Sequence, residues 1–185
     1  MGMPPRFVGR GYMIDSNRAN ARGGLETMNQ LQRWAADEVI ELMMSEPARG
    51  EIARGGSDAP ARRVDGQIFT MSLYTSADES RAKGLVERIL FPDGAKNENE
   101  RNDVEIVFHS WKYKRTLITN DGSSGRQSGG ILGNRERLRE ALGIRILTDE
   151  EAVAEVRERI KARDELARWW HQQEGQPLPP WVGED

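Results

Sequence analysis

The stretch Thr116–Gly130, TLITNDGSSGRQSGG, decides how the chain is read. An apolar run ends in Thr-Asn-Asp and passes straight into a polar, glycine-rich loop. Asn-Asp-Gly between two apolar runs is also ordinary hairpin chemistry. Here, however, the chain continues as ILGNRERLREALG, which reads as a short helix and not as a pairing strand. A strand that hands over to a helix, with an acid at the junction, is the repeating unit of an α/β fold.

Working outward, the same pattern recurs. GYMIDSN (11–17) is a short apolar run that also ends in an acid and small polar residues. After the Arg22–Gly24 break, Leu25, Met28, Leu31 and Ala35 fall at helical spacing, and VIELMM (39–44) follows as a second strand. Ser45 and Pro47 read as the start of a short helix closed by Gly55 and Gly56, and 53–66 as an exposed loop. QIFTMSLY (67–74) is a further strand, and Ser76 with Glu79 forms a capping-box pattern ahead of a helix reaching about Leu90. A second helix from about Glu98 to Lys114 carries Val104, Val107, Phe108 and Trp111 on one stripe. The strand 116–120, a helix over Asn134–Leu142 and a last strand IRIL (144–147) complete the alternation. Thr148 and Glu151 form another capping box and open a long helix to about His171. The expected architecture is therefore three-layered, α/β/α, around a mostly parallel sheet, with an added C-terminal helix. The expected division is a lead-in (1–10), a core domain (11–148), the C-terminal helix (149–172) and a Pro-rich tail (173–185) that is either loose or docked through Trp181.

Composition narrows the chemistry. The 185 residues suit one ordinary domain with a modest core, since 37% are hydrophobic and 31% charged. There is no cysteine, which excludes disulfides and thiolate zinc sites and suits a reducing cytoplasm. Two histidines, His109 and His171, are too few for a histidine-rich metal site, so any metal must be held mainly by oxygens. His109 lies within an apolar helix pattern and reads as structural. No segment has the length of a membrane span, and the N-terminus lacks the apolar core of a signal peptide. The net charge of −3 says nothing about a polyanionic partner; local charge must decide that.

Sites in open parallel sheets form outside the carboxyl ends of the strands. That rule brings four acids to one rim: Asp15 after the first strand, Asp121 after the strand 116–120, Glu51 early in the helix following 39–44, and Asp103 early in the helix preceding 116–120. Glu100, one turn before Asp103, is a reserve acid on the same helix face. Two like charges about 4 Å apart repel by roughly 4 kcal/mol at an effective dielectric near 20, so such a cluster calls for protons or a cation. Mg²⁺ or Mn²⁺ fits an all-oxygen set and suits phosphodiester hydrolysis. Arg18, Arg22, Ser123 and Arg126 follow the acidic strand ends closely and are candidates for contacts to a phosphate backbone. GSSGRQSGG lacks the lysine and spacing of a P-loop and reads as a linker or lid.

MIDSN (13–17), SEPARGEI (45–52), DVEIVFHSWKYKRTLITND (103–121) and the final IRIL strand together resemble the PIN domain, a family of metal-dependent nucleases. The resemblance covers roughly 11–148. It implies that Asp15, Glu51, Asp103 and Asp121 hold Mg²⁺ or Mn²⁺ and carry catalysis, with Ser16, Asn17, Thr119 and Asn120 as supporting polar groups. Glu46 is the alternative second acid, because Ala48 stands where the family has a larger apolar residue. The resemblance also implies RNA as substrate and endoribonuclease activity. An antitoxin partner and a homodimer are common in the family. The rival readings are a non-catalytic PIN-like module that binds RNA or protein, and a phosphatase or receiver-like protein. The last pair lacks support in the residues: a phosphatase wants Asp-x-Asp where 15–17 read Asp-Ser-Asn, and a receiver wants a lysine ending a later strand.

Overall fold

The computed structural model describes residues 2–20, 25–48, 68–70, 76–122 and 128–185. The elements, in chain order, are β1 (Gly11–Ile14), α1 (Ser16–Asn20), α2 (Glu26–Ala36), β2 (Glu41–Ser45), β3 (Ile68–Thr70), α3 (Ala77–Leu90), α4 (Glu98–Lys112), β4 (Thr116–Ile118), α5 (Gly130–Gly133), α6 (Arg135–Leu142), β5 (Ile146–Leu147) and α7 (Asp149–Glu174). The five strands form one sheet in the order β3-β2-β1-β4-β5, and every pairing is parallel. Ile14 stands opposite Met44 on one side and Ile118 on the other. The α/β class expected from the alternation is the one observed.

Short, doubly buried parallel strands need side chains that are apolar on both faces, and β1 shows this directly. Met13 enters a core with α3, α4 and α6 (Val86, Val107, Leu138), while Tyr12 and Ile14 enter a second core with α2 and α7 (Leu31, Trp34, Val153, Val156). Leu117 and Ile118 of β4 divide between the same two cores. The sheet is thus sandwiched by helices, giving the three layers. Because Val153, Val156 and Ile160 of α7 fill the second core, this helix is structural to the sheet's α2 face.

Helix ends follow the expected capping chemistry. Ser76 and Glu79 exchange reciprocal bonds at the start of α3, as do Thr148 and Glu151 at the start of α7. Asn97 caps α4, its side chain accepting from the Glu100 N–H. Several boundaries differ from expectation. The strand expected over 39–44 begins at Glu41, because Val39 and Ile40 both direct their N–H groups to the Trp34 carbonyl and close the α2–β2 turn. Strand β4, expected to reach 120, stops at Ile118; beyond it the Thr119 N–H still donates to the Leu147 carbonyl, and the Asn120 N–H turns to the Asn17 side chain. Helix α7 runs three residues past His171 to Glu174, where Gly175 ends it at φ 63.

The tail docks. The Arg163 guanidinium lies 4.3 Å from the centroid of the Trp181 ring, and the Gly183 N–H donates to Asp164 at 2.8 Å. Asp185 accepts from Arg6 at 2.6 Å and pairs with Arg163 at 2.9 Å, tying the tail to the N-terminal lead-in. Among the described residues no helix is long and apolar enough to cross a membrane.

Candidate active site at the carboxyl edge of the sheet

The strand ends of β1 and β4 lie side by side, and their first polar residues meet. Asp15 is 4% exposed and its backbone N–H donates to the Ile118 carbonyl at 3.0 Å. A buried carboxylate must be hydrogen-bonded to remain charged cheaply. Its Oδ2 accepts from the Thr119 hydroxyl at 2.7 Å and from the Asn17 side-chain amide at 2.8 Å, and its Oδ1 from the Ser16 hydroxyl at 3.2 Å. Three residues expected to support Asp15 therefore do contact it.

Thr119 is the hinge of the arrangement. It is fully buried, and its Oγ1 donates to Asp15 while accepting from the Asp121 N–H at 3.0 Å and from Asn17 Nδ2 at 3.2 Å. One donor and two lone pairs are a hydroxyl's full capacity. The Asn17 amide is equally engaged: its Oδ1 accepts from Arg18 Nε at 3.3 Å and from the Asn120 N–H at 3.4 Å. Asp15 and the backbone of Asp121 are thus fixed to one shared hydroxyl. The Asp121 carboxylate accepts from the Ile131 N–H at 2.8 Å, and its carbonyl from the Leu132 N–H at 2.9 Å. Helix α5 comes this close only because Gly130, at φ 60, lacks a side chain; a Cβ there would stand 2.5 Å from the Asp121 carbonyl.

The other expected acids are placed differently. Asp103 is half-buried in the second turn of α4. Glu100 is buried and accepts from the Lys96 N–H at 2.6 Å, a contact that belongs to the start of α4. Glu46 is exposed directly after β2, one position beyond the residue that follows the Ile14–Met44 pair. Glu51, Arg22, Ser123 and Arg126 lie outside the described residues. Among the described residues, no three Asp, Glu, His or Cys side chains lie close enough to hold one metal ion.

Arg18, a candidate for a phosphate contact, is bound to Asp149, with Nη1 3.0 Å from Oδ1 and 13% of the side chain exposed. Asp149 is almost fully buried and also accepts from the Thr27 hydroxyl, so α1, α2 and α7 converge on it. Sequence alone does not single out Asp149, because an acid in the first turn of a capped helix has a sufficient local explanation. The available signal was its position just past the last strand, at the edge that singled out Asp15. His109 is buried, as expected of a structural residue. Burial pushes its pKa below the ordinary value, opposed by Glu105 and Glu46.

The donor chemistry suits a hard cation. Magnesium keeps most of its waters and is commonly bound through one or two carboxylates, so Asp15 and Asp121 meet the minimum protein contribution. Their neighbours include hydroxyl, amide and backbone groups.

No family model and no curated protein matches the chain. Among solved structures, it is similar to the crystal structure of VapBC2 from Rickettsia felis bound to a DNA fragment from their promoter. The TM-score is 0.48 and the identity 16%, over 74% of this chain and 97% of that chain.

Proposed function

We propose that the protein is a PIN-type, Mg²⁺- or Mn²⁺-dependent endoribonuclease acting at the carboxyl edge of its sheet. The observation that carries this reading is the buried Asp15 carboxylate, held by Ser16, Asn17 and Thr119, with Asp121 fixed to the same Thr119 hydroxyl. Asp15 and Asp121 would hold the cation directly, with Asp103 and Glu51, or Glu46 in its place, reaching it through bound water. A cation held there lowers the pKa of water and offsets charge on a phosphoryl group. The residues of the chain do the rest. Thr119 and Asn17 hold the Asp15 carboxylate in one orientation, and Gly130 lets α5 fix the Asp121 carboxylate through the Ile131 N–H. On the PIN resemblance, RNA is the substrate, and an antitoxin-type protein and a second copy of the chain are the partners.

The second reading is a non-catalytic PIN-like module that binds RNA or protein. An RNA-cleavage panel with Mn²⁺ separates the two. Wild type should cleave, and Asp15→Asn and Asp121→Asn should each lose about 3 kcal/mol of transition-state stabilisation, roughly a hundredfold in rate. Millimolar Mn²⁺ should raise the melting temperature of wild type and not of the variants. A folded wild type that cleaves no RNA on the panel decides for the binding module.

A further inference from the structure

The opposite edge of the sheet carries a second polar feature that the nuclease reading does not use. A cleft of about 510 Å³ opens where α4 and α6 end and is lined by Arg10, Lys112, Lys114, Arg115 and Arg145, with Glu79 as its acid. Glu41 and Glu155 pair with these cations from outside the lining, so five cations meet three carboxylates in a chain whose net charge is −3. Cations are ordinary at helix C-termini, where free carbonyls attract them. At the end of α4 that explanation is weakened, because the N–H groups of Tyr113, Lys114 and Arg115 already occupy the carbonyls of His109, Trp111 and Ser110.

Donors remain available. Among the described residues, Arg10 engages Glu155 through Nε alone, and Arg115 uses Nε on the Met43 sulfur and Nη2 on Glu41, leaving Nη1. Lys114 makes no ion pair among them and is exposed, yet its backbone sits at φ 52, a conformation that favours glycine or asparagine. A lysine there accepts a local conformational cost. A second cavity of about 420 Å³ shares Trp111 and Leu142 with the cleft and has Ala82, Gly84 and Leu85 on its walls. Both volumes fall in the range of small-molecule sites.

We propose that this amino edge binds a nucleotide bearing a chain of phosphates. Arg10, Lys114 and Arg115 would take the phosphates, and the base would lie in the adjoining cavity against Trp111 and Leu142. The ligand chemistry is shared by a free nucleoside triphosphate and by the 5′-triphosphorylated end of an RNA. The site is independent of the acidic edge.

The test is a binding titration of the whole chain in EDTA with ATP, inorganic tripolyphosphate, adenosine, and short RNAs carrying a 5′-triphosphate or a 5′-hydroxyl. ATP should bind more tightly than tripolyphosphate, and both should weaken as salt rises. Lys114→Asn, a residue that tolerates φ 52, should stay folded and weaken ATP about tenfold, the worth of one charge-assisted contact. Trp111→Leu should weaken ATP and leave tripolyphosphate unchanged. Asp15→Asn should alter neither. Binding of the triphosphorylated RNA without free ATP assigns the RNA end as the source and upholds the site. No binding of any phosphate ligand at millimolar concentration overturns it. So does ATP binding that is indifferent to Lys114→Asn or abolished by Asp15→Asn.

Discussion

The two edges of the sheet solve opposite electrostatic problems. At the carboxyl edge, where α1, α4, α6 and α7 begin, the charges at the strand ends are acids: Asp15, Asp121 and Asp149. Helix N-termini favour negative charge, and the carboxylates there are held by hydroxyls, amides and backbone N–H groups, with Arg18 bound to Asp149. At the amino edge, where α4 and α6 end, the charges are cationic, and Glu155 gathers Arg10, Arg145 and Arg159 around itself. The first edge is acids held mainly by neutral donors. The second is ion-pair chemistry that compensates most of its own charge. Perturbing one should therefore read out differently from perturbing the other.

The largest effect is expected at Thr119. Thr119→Val keeps the shape and removes a hydroxyl that serves Asp15, the Asp121 N–H and Asn17 at once. Losing a bond to a buried carboxylate and leaving a half-buried N–H unpaired should cost about 2 kcal/mol, seen as a lower urea midpoint with an unchanged slope. Activity should fall with it, even though Thr119 holds no place among the acids. A Thr119→Val protein as stable as wild type would break the view that this hydroxyl organises the edge.

Glu155 comes next. Burial alone would raise its pKa, but hydrogen bonds and charge from Arg145, with Arg10 and Arg159, hold it down at about 2. The folded form thus binds fewer protons than the unfolded chain at mildly acidic pH, so this share of stability is complete above the ordinary value of 4.5 and is lost as pH falls towards 2. Glu155→Gln should cost about 2 kcal/mol at neutral pH, less than a fully buried pair because its arginine partners are 35–44% exposed. The variant should show a shallower loss of stability than wild type between those two pH values. Equal acid limbs would remove Glu155 as the organiser of the amino edge.

How much of this was legible in the sequence depends on the range of the interaction. Strand ends followed by acids are local patterns, so Asp15, Asn17, Thr119 and Asp121 could be assembled from two short stretches and one topological rule. The capping boxes at Ser76 and Thr148 were legible for the same reason. The Arg18–Asp149 pair was not legible, because the partners are 131 residues apart and nothing local marks them. The docked tail likewise depends on Arg6, Arg163 and Asp185, which only the folded chain brings together. The amino-edge cleft could not be found from charge runs, since Lys112, Lys114 and Arg115 look like any solvated turn until Arg10 and Arg145 join them.

The smallest effect separates the edges from the core between them. Tyr12 is fully buried in β1, and its hydroxyl has no hydrogen-bond partner among the described residues. Burial, with the charge of Glu155, raises its pKa to about 12, so the phenol stays neutral. A buried hydroxyl without a partner carries its desolvation cost uncompensated, of order 1 kcal/mol or more. Tyr12→Phe keeps the ring in the α2–α7 core and deletes only that oxygen. It should therefore leave stability unchanged or raise it by about 1 kcal/mol, measured by urea denaturation at neutral pH. A loss of that size instead would mean that the phenol belongs to the Arg10–Glu155–Arg145 network, extending the ion-pair edge one residue into the sheet.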